Sequence, residues 1–104
     1  MTATDVLTEM VQRIVERFHP LGVVLFGSRA RGDARPDSDY DLLVVMPDGT
    51  DRRVATVAML GALNGVPAFV DVVVTTPASL AKVPGLRASV LIPATREGIT
   101  VYEP

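Results

Sequence analysis

The stretch Gly27-Ser28-Arg29-Ala30-Arg31-Gly32-Asp33-Ala34-Arg35-Pro36-Asp37-Ser38-Asp39-Tyr40-Asp41 (GSRARGDARPDSDYD) decides how the rest of the chain is read. Val23-Val24-Leu25-Phe26 precedes it and Leu42-Leu43-Val44-Val45-Met46 follows it. Both flanks are of strand length and rich in β-branched or aromatic residues, so the stretch joins two strands. Its front is a Gly-Ser turn followed by Arg29 and Arg31. Its back sets Asp39 and Asp41 two residues apart at the start of the second strand. Strand side chains alternate faces, so both carboxylates point the same way, roughly 6.5 to 7 Å apart at Cα. Held side by side, they repel unless a cation or a proton lies between them. Amide and arginine donors facing such a pair suit a nucleoside triphosphate carried on Mg²⁺.

Working outward, Val6, Leu7, Met10, Val11, Ile14, Val15 and Phe18 recur at helical spacing, which predicts an amphipathic helix over 4–18. Thr4 is its expected N-cap, and His19-Pro20 stops it. The first strand covers about 21–26 and the second about 40–46, apolar on both faces beyond Asp41 and therefore central. Pro47-Asp48-Gly49 is a turn. A helix follows over 51–63, ended by Asn64-Gly65. A third strand over 66–75 carries a single charge, Asp71. Thr76-Pro77 opens a short helix. A further helix is expected over 87–97, broken or restarted at Pro93, and then a short edge strand over 99–102. The fold class is α/β (α+β): one mixed β-sheet with flanking helices, in a single domain spanning 1–104.

The totals fit that frame. The chain has 104 residues, 48% hydrophobic and 21% charged, which suits a globular core and excludes a disordered chain. A net charge of −2 gives no global basic field for nucleic acid. With no cysteine, disulfides and thiolate metal sites are excluded, in keeping with a cytoplasmic protein. No signal peptide pattern and no apolar run of membrane-spanning length is present.

Other motifs fail. Gly27-x4-Gly32 starts like a phosphate-binding P-loop, but Asp33 stands where that motif needs lysine. No Gly-x-Gly-x-x-Gly exists. Asp37, Asp39 and Asp41 match the first ligands of a calcium EF-hand, yet Leu42 takes the place of its glycine and Asp48 that of its glutamate. A sugar transferase's Asp-x-Asp would need a larger fold and leave the Gly-Ser turn unexplained. Asp71 in an apolar strand is expected to be buried, and buried acids are paired or bound to metal. On those grounds it either reaches the Asp39/Asp41 pair or meets an arginine.

Gly27-Ser28, ten residues, Asp39-x-Asp41 and a later strand acid at Asp71 together resemble the DNA polymerase β-like nucleotidyltransferase superfamily. The small size and the arginine-rich loop resemble its minimal nucleotidyltransferase (MNT) family, including the antitoxins of HEPN/MNT pairs. The resemblance implies transfer of a nucleoside monophosphate, AMP from ATP, to a hydroxyl with two Mg²⁺ ions. It implies that Gly27 and Ser28 hold the triphosphate, and that Asp39, Asp41 and Asp71 are catalytic metal ligands, with Asp71 helping to deprotonate the acceptor. Arg29 and Arg31, as bidentate phosphate donors, are expected on the departing pyrophosphate. The resemblance also implies a HEPN-type protein partner as acceptor, making the chain a protein adenylyltransferase. A different class of reading is an antitoxin-like module that neutralises such a partner mainly by complex formation. Leu42 and 99–102 are expected to add apolar area to a docking face, and oligomers are compatible with this picture.

Overall fold

The computed structural model describes residues 3–32, 34–35, 38–82 and 98–104. In chain order the elements are α1 (Ala3–Phe18), β1 (Gly22–Phe26), α2 (Ser28–Arg31), β2 (Tyr40–Val45), α3 (Arg52–Ala62), β3 (Val70–Thr75), α4 (Pro77–Lys82) and β4 (Ile99–Tyr102). Among the described residues, four strands form one sheet in the order β3-β2-β1-β4. β1 runs antiparallel to β2 and to β4, while β2 and β3 run parallel. A parallel pair needs a crossover, and α3 supplies it. β2 therefore lies between two strands, as its two apolar faces predict. β4 is an edge strand, as expected, and β3 is the other edge.

Helix α1 buries Val6, Met10 and Ile14, one residue per turn, against the sheet. Ala55 and Met59 of α3 and Leu63 at its C-terminal cap join the same core, with Val23 and Leu25 of β1, and Tyr40, Leu42 and Val44 of β2. Alternation therefore turns the even residues of β2 toward α1 and α3, and the odd ones, Asp41 first among them, to the other face. Arg13 ties the two helices together by donating to the carbonyls of Ala62 (3.1 Å) and Asn64 (2.9 Å).

Local chemistry sets the element ends. α1 already includes Thr4, so Thr4 is not its N-cap; the helix begins at Ala3. It stops because Pro20 disfavours right-handed helical backbone at the residue before it, and His19 takes φ 50. Asp51 caps α3, accepting from the Val54 amide at 3.1 Å. Thr76 caps α4 as expected, its hydroxyl accepting from the Ser79 amide at 3.2 Å. The third strand starts at Val70 rather than Val66. The Val66 amide turns back to the Leu63 carbonyl, the Ala68 amide to that of Val66, and Pro67 has no amide to offer a ladder. The loop after β1 contains a helix, α2, that the sequence reading lacked. The expected helix over 87–97 falls outside the described residues. Among the described residues, no helix is long and apolar enough to cross a membrane.

Candidate active site

Phe26, the last residue of β1, is the register partner of Asp41. The chain then leaves the sheet at Gly27, with φ 76 and ψ −158. That backbone region is nearly glycine-only. A methyl group at this position would also collide with the Asp41 carboxylate, so conformation and contact demand glycine together. Because no side chain stands there, the carboxylate can lie against the turn backbone. Helix α2 begins at the next residue: the amides of Ala30 and Arg31 both donate to the Gly27 carbonyl at 3.1 Å. Gly32 closes it in the left-handed region, its amide donating to the Ser28 carbonyl at 3.0 Å. The first amides of a helix have no carbonyl one turn earlier to donate to, and that of Ser28 opens α2.

The acids meet by register. Asp39 is exposed just ahead of β2, Asp41 is half-buried within it, and alternation sets both on one face. Asp71 is the direct parallel partner of Asp41. The Asp41 carboxyl is pushed above its usual range, first by burial, then by the charges of Asp71 and Asp39, with Arg31 partly offsetting them. The residues singled out in the sequence thus share one end of the sheet. Asp71, however, is exposed rather than buried: its strand is apolar, but among the described residues it is an edge strand. The reasoning from a buried charge does not hold for it; its place follows from strand register instead. Among the described residues, no three acidic or imidazole side chains converge into a ready-made metal cage. The oxygen donors nevertheless suit Mg²⁺, which needs only one or two carboxylates beside waters and phosphate oxygens. The charges of Asp71 and Asp39, which add to the effect of burial on Asp41, are the electrostatic complement of such a cation.

The two arginines divide. Arg31 is exposed and acts on Asp41. Arg29 serves as a strut: its Nε and Nη2 donate to the Ser38 carbonyl at 3.1 and 2.8 Å, and its guanidinium lies 3.9 Å from the centre of the Tyr40 ring. It thereby fastens α2 to the segment that carries Asp39. Ser38 is held from its other side by Arg35, whose amide donates to the Ser38 hydroxyl at 2.8 Å and whose carbonyl accepts from the Ser38 amide at 3.0 Å. The expectation that Leu42 adds exposed apolar area is not met, since Leu42 is fully buried, whereas Ile99 is exposed. Phe69, missed from the sequence, is 77% exposed at the same end of the sheet. An aromatic between Pro67-Ala68 and the strand was the available signal. Two surface grooves, one between α3 and β3 and one between α1 and β4, include none of Asp39, Asp41 and Asp71. The site is the open end of the sheet.

Comparison with known proteins agrees with this geometry. The family model for the nucleotidyltransferase domain matches residues 7–102. A crystal structure of a Sulfolobus solfataricus protein assigned as a nucleotidyltransferase is 23% identical, with a TM-score of 0.65 over 95% of this chain and 78% of that one. A toxin–antitoxin structure with AMP-PNP is 20% identical, with a TM-score of 0.55 over 92% of this chain and 73% of that one. Both share the mixed sheet with flanking helices. A protein assigned as a minimal nucleotidyltransferase is 33% identical over 90% of this chain and 97% of that one, with a TM-score of 0.48. No curated protein gave a significant match. With nearly its whole length matched and the turn, register and acids in place, the chain belongs to the nucleotidyltransferase domain family.

Proposed function

We propose that the chain transfers AMP from ATP to a hydroxyl group on a protein partner, in a reaction that depends on Mg²⁺. The observation that carries this reading is the register of Asp41 beside Asp71 with the Asp41 carboxylate against Gly27. Two Mg²⁺ ions, held by Asp39 and Asp41 and one of them also by Asp71, would neutralise charge on the attacking and leaving oxygens of an in-line displacement. Around them, the amides that open α2 at Ser28 hold the terminal phosphates, and Arg31 adds a bidentate donor for the departing pyrophosphate. Arg29 holds that loop in place through Ser38 and Tyr40. The acceptor oxygen forms a bond to the α-phosphorus as the bond to the α,β-bridging oxygen breaks. Pyrophosphate leaves, and the hydroxyl proton passes to the Asp71 carboxylate. Positioning and charge neutralisation provide most of the rate in such transfers.

The partner is proposed from openness. Specific small-molecule sites are concave and bury most of their ligand. Here the acids lie at the exposed end of one sheet, and a protein can supply the missing wall by burying about 800 Å² on each side. A HEPN-type toxin is the proposed partner, a reading supported by the family resemblance of the Gly27–Asp41 loop and by the fold shared with a toxin–antitoxin structure. The test incubates the purified chain with α-labelled ATP and Mg²⁺, with and without the product of the adjacent gene. Label on a tyrosine, serine or threonine of that product supports the proposal. Complex formation with no label, equal for wild type and Asp39→Asn/Asp41→Asn, replaces it with neutralisation by binding. Label on small molecules alone, with no complex on gel filtration, overturns the protein partner.

A further inference from the structure

Phe69 is the least buried large apolar residue among the described residues, and it stands beside the acids. The Tyr40 amide donates to the Phe69 carbonyl at 2.9 Å, which continues the β2–β3 ladder one residue beyond its first register pair, Tyr40 with Val70. That register, carried back, sets Phe69 next to Asp39. Alternation then puts Phe69 on the face of Asp71, two residues along and roughly 6.5 to 7 Å away at Cα. Since β3 is an edge of the sheet among the described residues, Phe69 forms the outer rim of the site there.

In-line displacement decides which part of the reaction that rim serves. Across the end of the sheet the order is Gly27 and Ser28 after β1, Asp41 on β2 with Asp39 just ahead of it, then Asp71 on β3 with Phe69 just ahead of it. The leaving pyrophosphate occupies the Gly27–Ser28 side. The attacking oxygen must approach the α-phosphorus from the opposite side, which is that of Asp71 and Phe69. We infer that Phe69 is a positioning residue for the acceptor: its ring packs against an aromatic or apolar group adjoining the acceptor hydroxyl and sets that oxygen beside Asp71. The inference rests on the nucleotidyl-transfer reading above. It selects acceptors whose hydroxyl adjoins a ring over polar alcohols and water. Stacking of the nucleobase on the same ring is the rival role, and the measurements separate the two.

The full chain is assayed with α-labelled Mg·ATP and two acceptor probes that differ in the ring alone, N-acetyl-tyrosinamide and N-acetyl-serinamide. Mg·ATP affinity and release of AMP to water are measured alongside. The wild type is expected to prefer the tyrosine probe about tenfold in kcat/KM, through KM, the scale of one aromatic pair. Phe69→Ala abolishes that preference, while Mg·ATP affinity and melting temperature stay unchanged; Phe69→Tyr restores it. The chain has three phenylalanines, so ring resonances give an independent readout. With a non-hydrolysable ATP analogue bound, the tyrosine probe shifts the Phe69 resonances and the serine probe does not. An unchanged preference in Phe69→Ala overturns the inference, as does a tenfold loss of Mg·ATP affinity in that variant, which marks a nucleobase platform. A wild type that binds Mg·ATP but labels neither probe overturns it as well. A wild type that fails to bind Mg·ATP removes the nucleotidyl-transfer reading, and the inference falls with it.

Discussion

Replacing Asp71 with asparagine separates a metal-binding acid from an ordinary structural one. Asp71 is exposed on β3 and stands directly beside Asp41 in the parallel ladder. Neighbouring strands lie about 5 Å apart, and at that spacing in water two unit charges repel by ~0.8 kcal/mol. Cross-strand like charges fall in the same range, roughly 0.2–1 kcal/mol. Asp71→Asn removes that repulsion, so without Mg²⁺ the variant should melt a few degrees higher, roughly 1–5 °C for a domain of this size. The pH dependence has a fixed sign. Burial and the neighbouring carboxylates raise the Asp41 pKa in the folded chain, so ionising Asp41 lowers stability as pH rises through that pKa. Losing the Asp71 charge relieves part of this, so the variant's advantage is full at neutral pH and vanishes in acid, where Asp41 is protonated in both proteins. Activity moves the other way. A ligand and base that acts on the transition state should lower transfer by about 10²–10⁴-fold while nucleotide affinity falls much less. Thermal melts with and without Mg²⁺, beside a labelled-nucleotide assay, read both quantities. A lower melting temperature with per-molecule activity retained would show Asp71 to be an ion-pair residue and refute the reasoning.

Gly27→Ala places a side chain in a glycine-only region and against the Asp41 carboxylate, so a loss of ~1–3 kcal/mol in a denaturation curve is expected, with weaker Mg·ATP binding on top of it. Arg29→Lys keeps the charge but loses the forked donation to Ser38 and the stacking on Tyr40; about 1–3 kcal/mol of stability should go, while Arg31→Lys leaves the melting curve nearly unchanged and raises KM for ATP. Mg²⁺ affinity, followed by calorimetry against pH, should begin to fall at a higher pH than an ordinary aspartate would give, because protonated Asp41 is no ligand. Asp51→Ala removes the α3 cap at the far end of the sheet and should cost about 1 kcal/mol with nucleotide affinity intact.

Much of the site could be read from the chain because it depends on local rules. Alternation placed Asp39 and Asp41 on one face, apolar composition on both faces made β2 central, and turn chemistry marked Gly27 and Thr76. What could not be read depends on tertiary pairing. The alignment of Asp41 with Asp71 is a fact of strand order and register, fixed by the α3 crossover, and nothing in the VDVVVT run of β3 distinguishes a central strand from an edge. For the same reason Asp71 looked buried when it is exposed. Helix α2 is a single turn whose Ser-Arg-Ala-Arg composition is shared with loops. The commitment of Arg29 to the Ser38 carbonyl needed the loop's path, because a guanidinium suits a carbonyl and a phosphate equally well.

Calorimetric titration of a non-hydrolysable ATP analogue into wild type and Asp39→Asn/Asp41→Asn, with Mg²⁺ and with chelator, tests the carboxylate site most directly. Binding by the wild type is expected only with Mg²⁺, and affinity at least tenfold weaker in the double variant while its melting curve shows it folded. Equal Mg²⁺-dependent affinity in the two proteins, or undiminished wild-type binding in chelator, would rule out a carboxylate-held metal site.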